Sequence, residues 1–162
     1  MKQKFILSFL AIAFGVLSAS AQNEEKLVVN AGNTEHINIG NDMDVVLLPG
    51  TNVDPEISLN PEAVKKLKLN LSANSMTISP SKQTSRKERL KIFLYVNNLK
   101  TITVENNSQV KTVGVLDSPK LDVYIDGEAI VHLKTKGDVQ AQSLGDAEIN
   151  VKYISDNRVA KH

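Results

Sequence analysis

Gly127-Glu128-Ala129-Ile130-Val131-His132-Leu133, Gly137-Asp138-Val139-Gln140-Ala141-Gln142-Ser143 and Gly145-Asp146-Ala147-Glu148-Ile149-Asn150-Val151 are three copies of one frame. Each begins with glycine and an acid, then alternates. Two further segments fit it more loosely: Asp117-Ser118-Pro119 with Leu121 and Val123, and Asn106-Asn107-Ser108 with Val110 and Thr112. The starts at 117, 127, 137 and 145 are ten, ten and eight residues apart. Each unit reads as a tight turn followed by a strand of about six residues. Glycine or an Asx residue at the turn tolerates positive φ, and the acid beside it stays in water. Residues two, four and six beyond the turn's first position share one face of the strand and point together at a core.

A unit this short cannot bury its own apolar face, whereas units stacked on one another can. Two units per coil predict a coil period of about 20 residues, that of a β-solenoid. A plain antiparallel meander also places strands about ten residues apart. The constant register of the frame favours the coil.

Upstream, the chain is again mostly period two. Lys26–Asn30, His36–Ile39 and Glu56–Leu59 read as short strands. Asp44–Leu48 is a continuous apolar run after its aspartate, stopped by Pro49-Gly50, and fits a strand buried on both faces or one with a bulge. Lys68–Leu71 and Met76–Ile78 form a hairpin around Ala73-Asn74-Ser75. Leu90–Val96, a turn at Asn97-Asn98, and Leu99–Glu105 add two more strands. One helical turn is expected from the Asn60 cap through Pro61 and Glu62 to Lys66. Pro80–Arg89 lacks apolar residues after its proline and reads as an exposed basic loop, a feature that also suits an anionic glycan or lipopolysaccharide.

The N-terminus reads as an export signal over residues 1–21. Lys2 and Lys4 precede the apolar run Phe5–Leu17, and Ala19-Ser20-Ala21 places the cut before Gln22. The run is shorter than the roughly 20 residues that cross a bilayer, so no transmembrane segment is expected after processing. Residues 22–162 then form one domain, since no linker divides them. Localisation follows as exported: periplasm, outer surface or extracellular.

Composition narrows the function. The chain has no cysteine, which removes disulfides, thiolate metal sites, a thiol nucleophile and a lipid-bearing N-terminal cysteine. Loss of Lys2 and Lys4 leaves 17 basic against 18 acidic side chains. That balance, with only Phe93, Tyr95, Tyr124 and Tyr153 as aromatics beyond the signal, argues against a nucleic-acid partner.

The frame and its surroundings resemble the auto-transporter adhesin, head GIN domain family of Gram-negative bacteria. That family carries a signal, a strand-rich N-terminal part and repeated Gly-[Ser/Asp]-[Gly/Ala]-x-[Ile/Val]-x units. The matching positions are Gly127-Glu128-Ala129, Gly137-Asp138-Val139 and, best, Gly145-Asp146-Ala147-Glu148-Ile149-Asn150. The strands around Ile37–Leu48, Met76–Ile78 and Leu90 resemble the family's N-terminal half, and the likeness spans roughly residues 27–152. The resemblance implies an all-β, short right-handed β-helix-like, two-sheet β-solenoid. It also implies cell adhesion with no catalytic residues.

The search for chemistry supports a non-enzyme. His36, His132 and His162 lack metal-site spacing, and His132 is expected to face away from the core between Val131 and Leu133. Serine-hydrolase and phosphate-loop motifs are absent. Asp42 and Asp44 are a weak calcium candidate without an EF-hand pattern. Stacked coils would align Asp122, Asp126, Glu128, Asp138, Asp146 and Glu148 on one face. Such acids are read as solubilising rather than as a glycosidase pair. No catalytic, metal or cofactor residue is assigned, and no ligand-binding residue is singled out. Three functions remain in order of preference: an exported structural or adhesion module, a periplasmic ligand- or glycan-binding protein with a cleft between the N-terminal strands and the coil stack, and a polysaccharide lyase or hydrolase. The partner expected is a cell-surface glycan or protein, or a second copy through an uncapped edge.

Overall fold

The computed structural model describes residues 27–50, 65–82 and 89–155. The elements it defines among the described residues are all β-strands. The first six strands are β1 (Leu27–Asn30), β2 (His36–Ile39), β3 (Met43–Pro49), β4 (Leu67–Leu71), β5 (Ser75–Pro80) and β6 (Leu90–Val96). They are followed by β7 (Thr101–Glu105), β8 (Gln109–Thr112), β9 (Lys120–Asp126), β10 (Ile130–Thr135), β11 (Asp138–Leu144) and β12 (Glu148–Tyr153). The export signal, the strand at Glu56–Leu59 and most of the helical turn from Asn60 lie outside the described residues, as do Arg86 and His162.

The strands form two six-stranded sheets. Sheet A has the order β1-β6-β3-β8-β10-β12, and sheet B has β11-β9-β7-β2-β5-β4. From β6 onward, consecutive strands lie in opposite sheets, so the chain crosses the core at every turn. Neighbours within a sheet pair in parallel, with the β4–β5 hairpin as the antiparallel exception among the described residues. An antiparallel meander is therefore not what the ten-residue spacing means. Partners in sheet A run Val110↔Val131↔Ile149, and in sheet B Ile102↔Val123 and Leu121↔Val139. Both sheets step by 21 and then 18 residues, close to the period expected from two units per coil.

Alternation sets which side chains meet. Ala129, Val131 and Leu133 are buried, as are Leu121, Val123 and Ile125 on the facing sheet. The first three are the positions two, four and six beyond Gly127, and the second three lie four, six and eight beyond Asp117. Ser108, Val110 and Thr112 follow the same rule, although two of them are polar. Their hydroxyls are satisfied. Ser108 Oγ accepts from the Met43 amide at 3.1 Å and donates to the Gly40 carbonyl at 2.6 Å. Thr112 Oγ1 accepts from the Lys134 amide at 2.8 Å. The Ser108 and Thr112 hydroxyls thus tie successive corners together instead of disrupting the core.

The N-terminal strands are not a separate part. β2 pairs with β5 and β7, and β3 pairs with β6 and β8, so both lie inside the sheets. β3 is continuous rather than bulged. Its inward Val45 and Leu47 are buried, and outward Val46 is covered as well, which accounts for its unbroken apolar run.

The turns stack in columns. The amide of Asp42 donates to Asn106 O, that of Asn106 to Asp126 O, and that of Gly127 to Leu144 O. Gly127 and Gly145 have positive φ, as the frame predicts. Gly137 does not. It is required by proximity: a Cβ there would collide with the Ser118 carbonyl oxygen. We expect Gly137→Ala to destabilise the protein by about 1–3 kcal/mol in urea unfolding. Replacing exposed Asp138 beside it by alanine should change stability by no more than about 0.5 kcal/mol. Equal effects of the two changes would mean that the corners are not in close backbone contact.

Candidate functional site

The outer face of sheet A carries a trough of about 580 Å³. Parallel register builds it in rows. One row places Asp44 (β3), Gln109 (β8), Ile130 (β10) and Glu148 (β12) side by side. The next row places Val46, Lys111 and His132 together. Lys91 borders the trough from β6, opposite Asp44. β8 has only four residues between longer neighbours, so the middle of this face has little side-chain cover. Val46 and Ile130 supply apolar walls among the polar groups.

Its charges are partly matched. Asp44 faces Arg89 at 3.4 Å across the β3–β6 end, and Glu148 lies 3.7 Å from His132 Nε2. Lys111 is exposed and makes no ion pair among the described residues. The site therefore offers a cationic group beside an apolar wall, with Asp44 facing the Arg89 guanidinium and Glu148 facing the His132 ring.

The candidates read from the sequence are scattered by the fold. His132 does point away from the core, into this trough. His36 lies on the outer face of sheet B, with Nδ1 3.0 Å from Thr101 Oγ1. Asp42 has positive φ in the turn before β3 and is buried, so it does not share the outward side of Asp44. The six acids of the repeat do not form one face. Asp122 and Asp126 lie on β9 and Asp138 on β11 of sheet B, Glu148 on β12 of sheet A, and Glu128 and Asp146 in the turns. No cluster of three or more histidine or acidic side chains able to hold a metal occurs among the described residues. Because β2 and β3 lie within the sheets, the cleft expected between N-terminal strands and repeats is replaced by the trough. The trough joins residues from both parts. Arg89, the last residue of the basic loop, is half-buried against Asp44 rather than free in solvent.

A family model described as "Putative auto-transporter adhesin, head GIN domain" matches residues 33–157, more than half of the chain. The matched region includes every strand from β2 to β12. No curated protein and no solved structure matches the chain.

Across the molecule from the trough, Glu35 and Lys100 form an ion pair at 2.7 Å before β2 and β7. The hydrogen bond from Lys100 holds the Glu35 carboxyl below its ordinary value of 4.5, with the charge of Lys100 acting in the same direction. A depressed folded-state pKa means that the pair stabilises the fold above that ordinary value and loses its effect as pH falls through the lower, folded value. Carboxyl-detected NMR titration should show Glu35 protonating below its ordinary value of 4.5, and Lys100→Gln should raise it back towards that value. An unshifted Glu35 in the unaltered protein would contradict the pairing.

Proposed function

This chain belongs to the auto-transporter adhesin, head GIN domain family, and we propose that it is an exported, non-enzymatic adhesion-type module that docks on a surface partner through the trough of sheet A. The trough carries this reading, because it is an open face built by five adjacent strands rather than a closed pocket. We take residues 1–21 as the export signal and residues 22–162 as the single mature domain. We take its destination as the envelope or exterior of a Gram-negative bacterium, and the stack itself as a short right-handed β-solenoid. The register steps of 21 and 18 residues support that last assignment.

The spacing of the trough's acids supports binding over catalysis. Asp44 and Glu148 are three strands apart in one row, so their backbones are roughly 14 Å apart at about 4.8 Å per strand. Glycosidase carboxyl pairs sit about 5–9.5 Å apart. Lys111 and Lys91, in adjacent rows of the trough, instead favour an anionic partner, and a cell-surface polysaccharide bearing carboxylates fits these two cations beside an apolar wall. A second reading, a periplasmic protein for a smaller glycan or other ligand, draws on the trough volume, which lies within the range of about 300–1,000 Å³ usual for ligand sites.

Immobilised uronic-acid polysaccharide and a neutral polysaccharide of similar length provide the test. We expect binding to the acidic polymer that weakens with salt, with Lys111→Glu reducing affinity about tenfold or more. Lys111 is exposed, so this variant should retain the wild-type unfolding midpoint. Equal binding to both polymers, or an unaffected Lys111→Glu variant, would remove the trough as the contact face.

A further inference from the structure

The two ends of the stack are finished differently. At one edge of sheet A, inward-facing Leu27 and Val29 of β1 are 0% and 1% exposed. At the other edge, inward Ala147, Ile149 and Val151 of the β12 segment are only half-buried, and Tyr153 is 58% exposed. On the neighbouring edge strand β11, Leu144 is 78% exposed. β12 lacks most of the usual guards of a free edge, its charges Glu148 and Lys152 lying on the outer side. It contains no proline or glycine, its register with β10 runs unbroken from Ile130↔Glu148 to Thr135↔Tyr153, and no charged side chain points inward.

The direction of its backbone is set by its one neighbour. The Glu148 amide donates to Ala129 O and the Ile154 amide to Thr135 O, both towards β10. Alternation then turns the N–H and C=O groups of Ile149, Val151 and Tyr153 towards the free edge. These groups need a partner strand or water.

We propose that β12 pairs with β12 of a second copy of this chain, antiparallel about a two-fold axis at Asn150. The sequence Glu148-Ile149-Asn150-Val151-Lys152 is complementary to itself under that operation. Glu148 faces Lys152 of the copy, twice, on the outer side. Ile149 faces Val151 of the copy, twice, on the inner side, so the apolar stripe continues through the junction. Asn150 faces its own copy. Ile149 and Val151 are the residues whose backbone groups are free, so they form the hydrogen-bonded pairs, and Asn150 falls in the closer, non-hydrogen-bonded pair. A second copy is favoured over an unrelated strand by this matching of charge, apolar surface and hydrogen-bonding phase in one register. The middle of β11 does not oppose the arrangement, since its outward Gln140 and Gln142 are uncharged and its one acid, Asp138, lies at the start of the strand. The operation is isologous and closes at two copies. It also brings the two troughs to the junction, because Glu148 borders each. The inference stands on the edge alone and does not require the trough to bind anything.

The native chain has no cysteine, so a single introduced thiol reports without background. Asn150→Cys should form an intermolecular disulfide quickly on mild oxidation, because non-hydrogen-bonded antiparallel partners have the separation that a disulfide spans. Lys134→Cys, exposed on β10, should not. In sedimentation, the purified protein should show a monomer–dimer equilibrium. Lys152→Glu should weaken it about tenfold, because two attractive cross-strand pairs become repulsive. Glu148→Lys combined with Lys152→Glu should restore it, which general destabilisation would not do. A clean monomer at every concentration, larger open-ended assemblies, or a double variant as weak as the single one would overturn the proposal. So would a monomer that dimerises only after removal of residues 156–162, since that outcome assigns the edge to the chain's own C-terminal segment.

Discussion

Backbone amides at the corners donate to carbonyls of the next corner along the stack: Asp42 to Asn106, Asn106 to Asp126, and Gly127 to Leu144. A parallel sheet in which successive strands belong to opposite faces depends on this contact. Each turn must be tight enough to reverse the chain and flat enough for its neighbour to lie against it. That double demand selects the residues. Asn107 and Asp42 accept positive φ within such turns, Gly145 packs on the backbone of Gly127, and Gly137 lies against the Ser118 and Pro119 carbonyls.

With the corners fixed, burial follows from parity. The inward columns Ile102–Val123 and Val110–Val131 are fully buried in mid-stack, and the polar members Ser108, Thr112 and Thr135 occur where a corner offers a hydrogen-bond partner. A buried hydroxyl with partners on two corners is compatible with the core, whereas an unpaired one would be strongly destabilising. Both outer faces are released from core duty. The short β8 leaves the outer face of sheet A shallow in the middle, and side chains from β3, β8 and β10 converge there.

The ends are where a parallel stack is vulnerable, because each terminal strand leaves one side of its backbone without a ladder. Here the β1 end buries its apolar face, while the β12 end keeps Ile149 and Val151 half-exposed. The size of the inward residues also falls towards that end of sheet B, from Ile102 to Val123 to Ala141, and Ile125 gives way to Ser143. A smaller, partly polar terminal layer lowers the penalty of exposure on that sheet, and the apolar remainder is concentrated on β12.

The local pattern of the chain determined the strands and their two faces. The inward set Ala129, Val131 and Leu133 was readable from the turn frame, and so was the outward direction of His132, because side-chain alternation along a strand is a property of the strand itself. The hairpin at Ala73-Asn74 was readable for the same reason. Which strands are neighbours was decided only by the tertiary structure. Ile37 pairs with Ile102 and Val45 with Val110, each across 65 residues, and β6 inserts between β1 and β3. A period-two pattern carries no information about such distant partners. The trough was hidden for that reason: Asp44, Lys111, His132 and Glu148 become one surface only through the parallel register of β3, β8, β10 and β12. Gly137 shows the same division within one residue. Its identity was legible as a turn, but its physical reason, a backbone carbonyl where a Cβ would stand, exists only once the strands of the two sheets are paired.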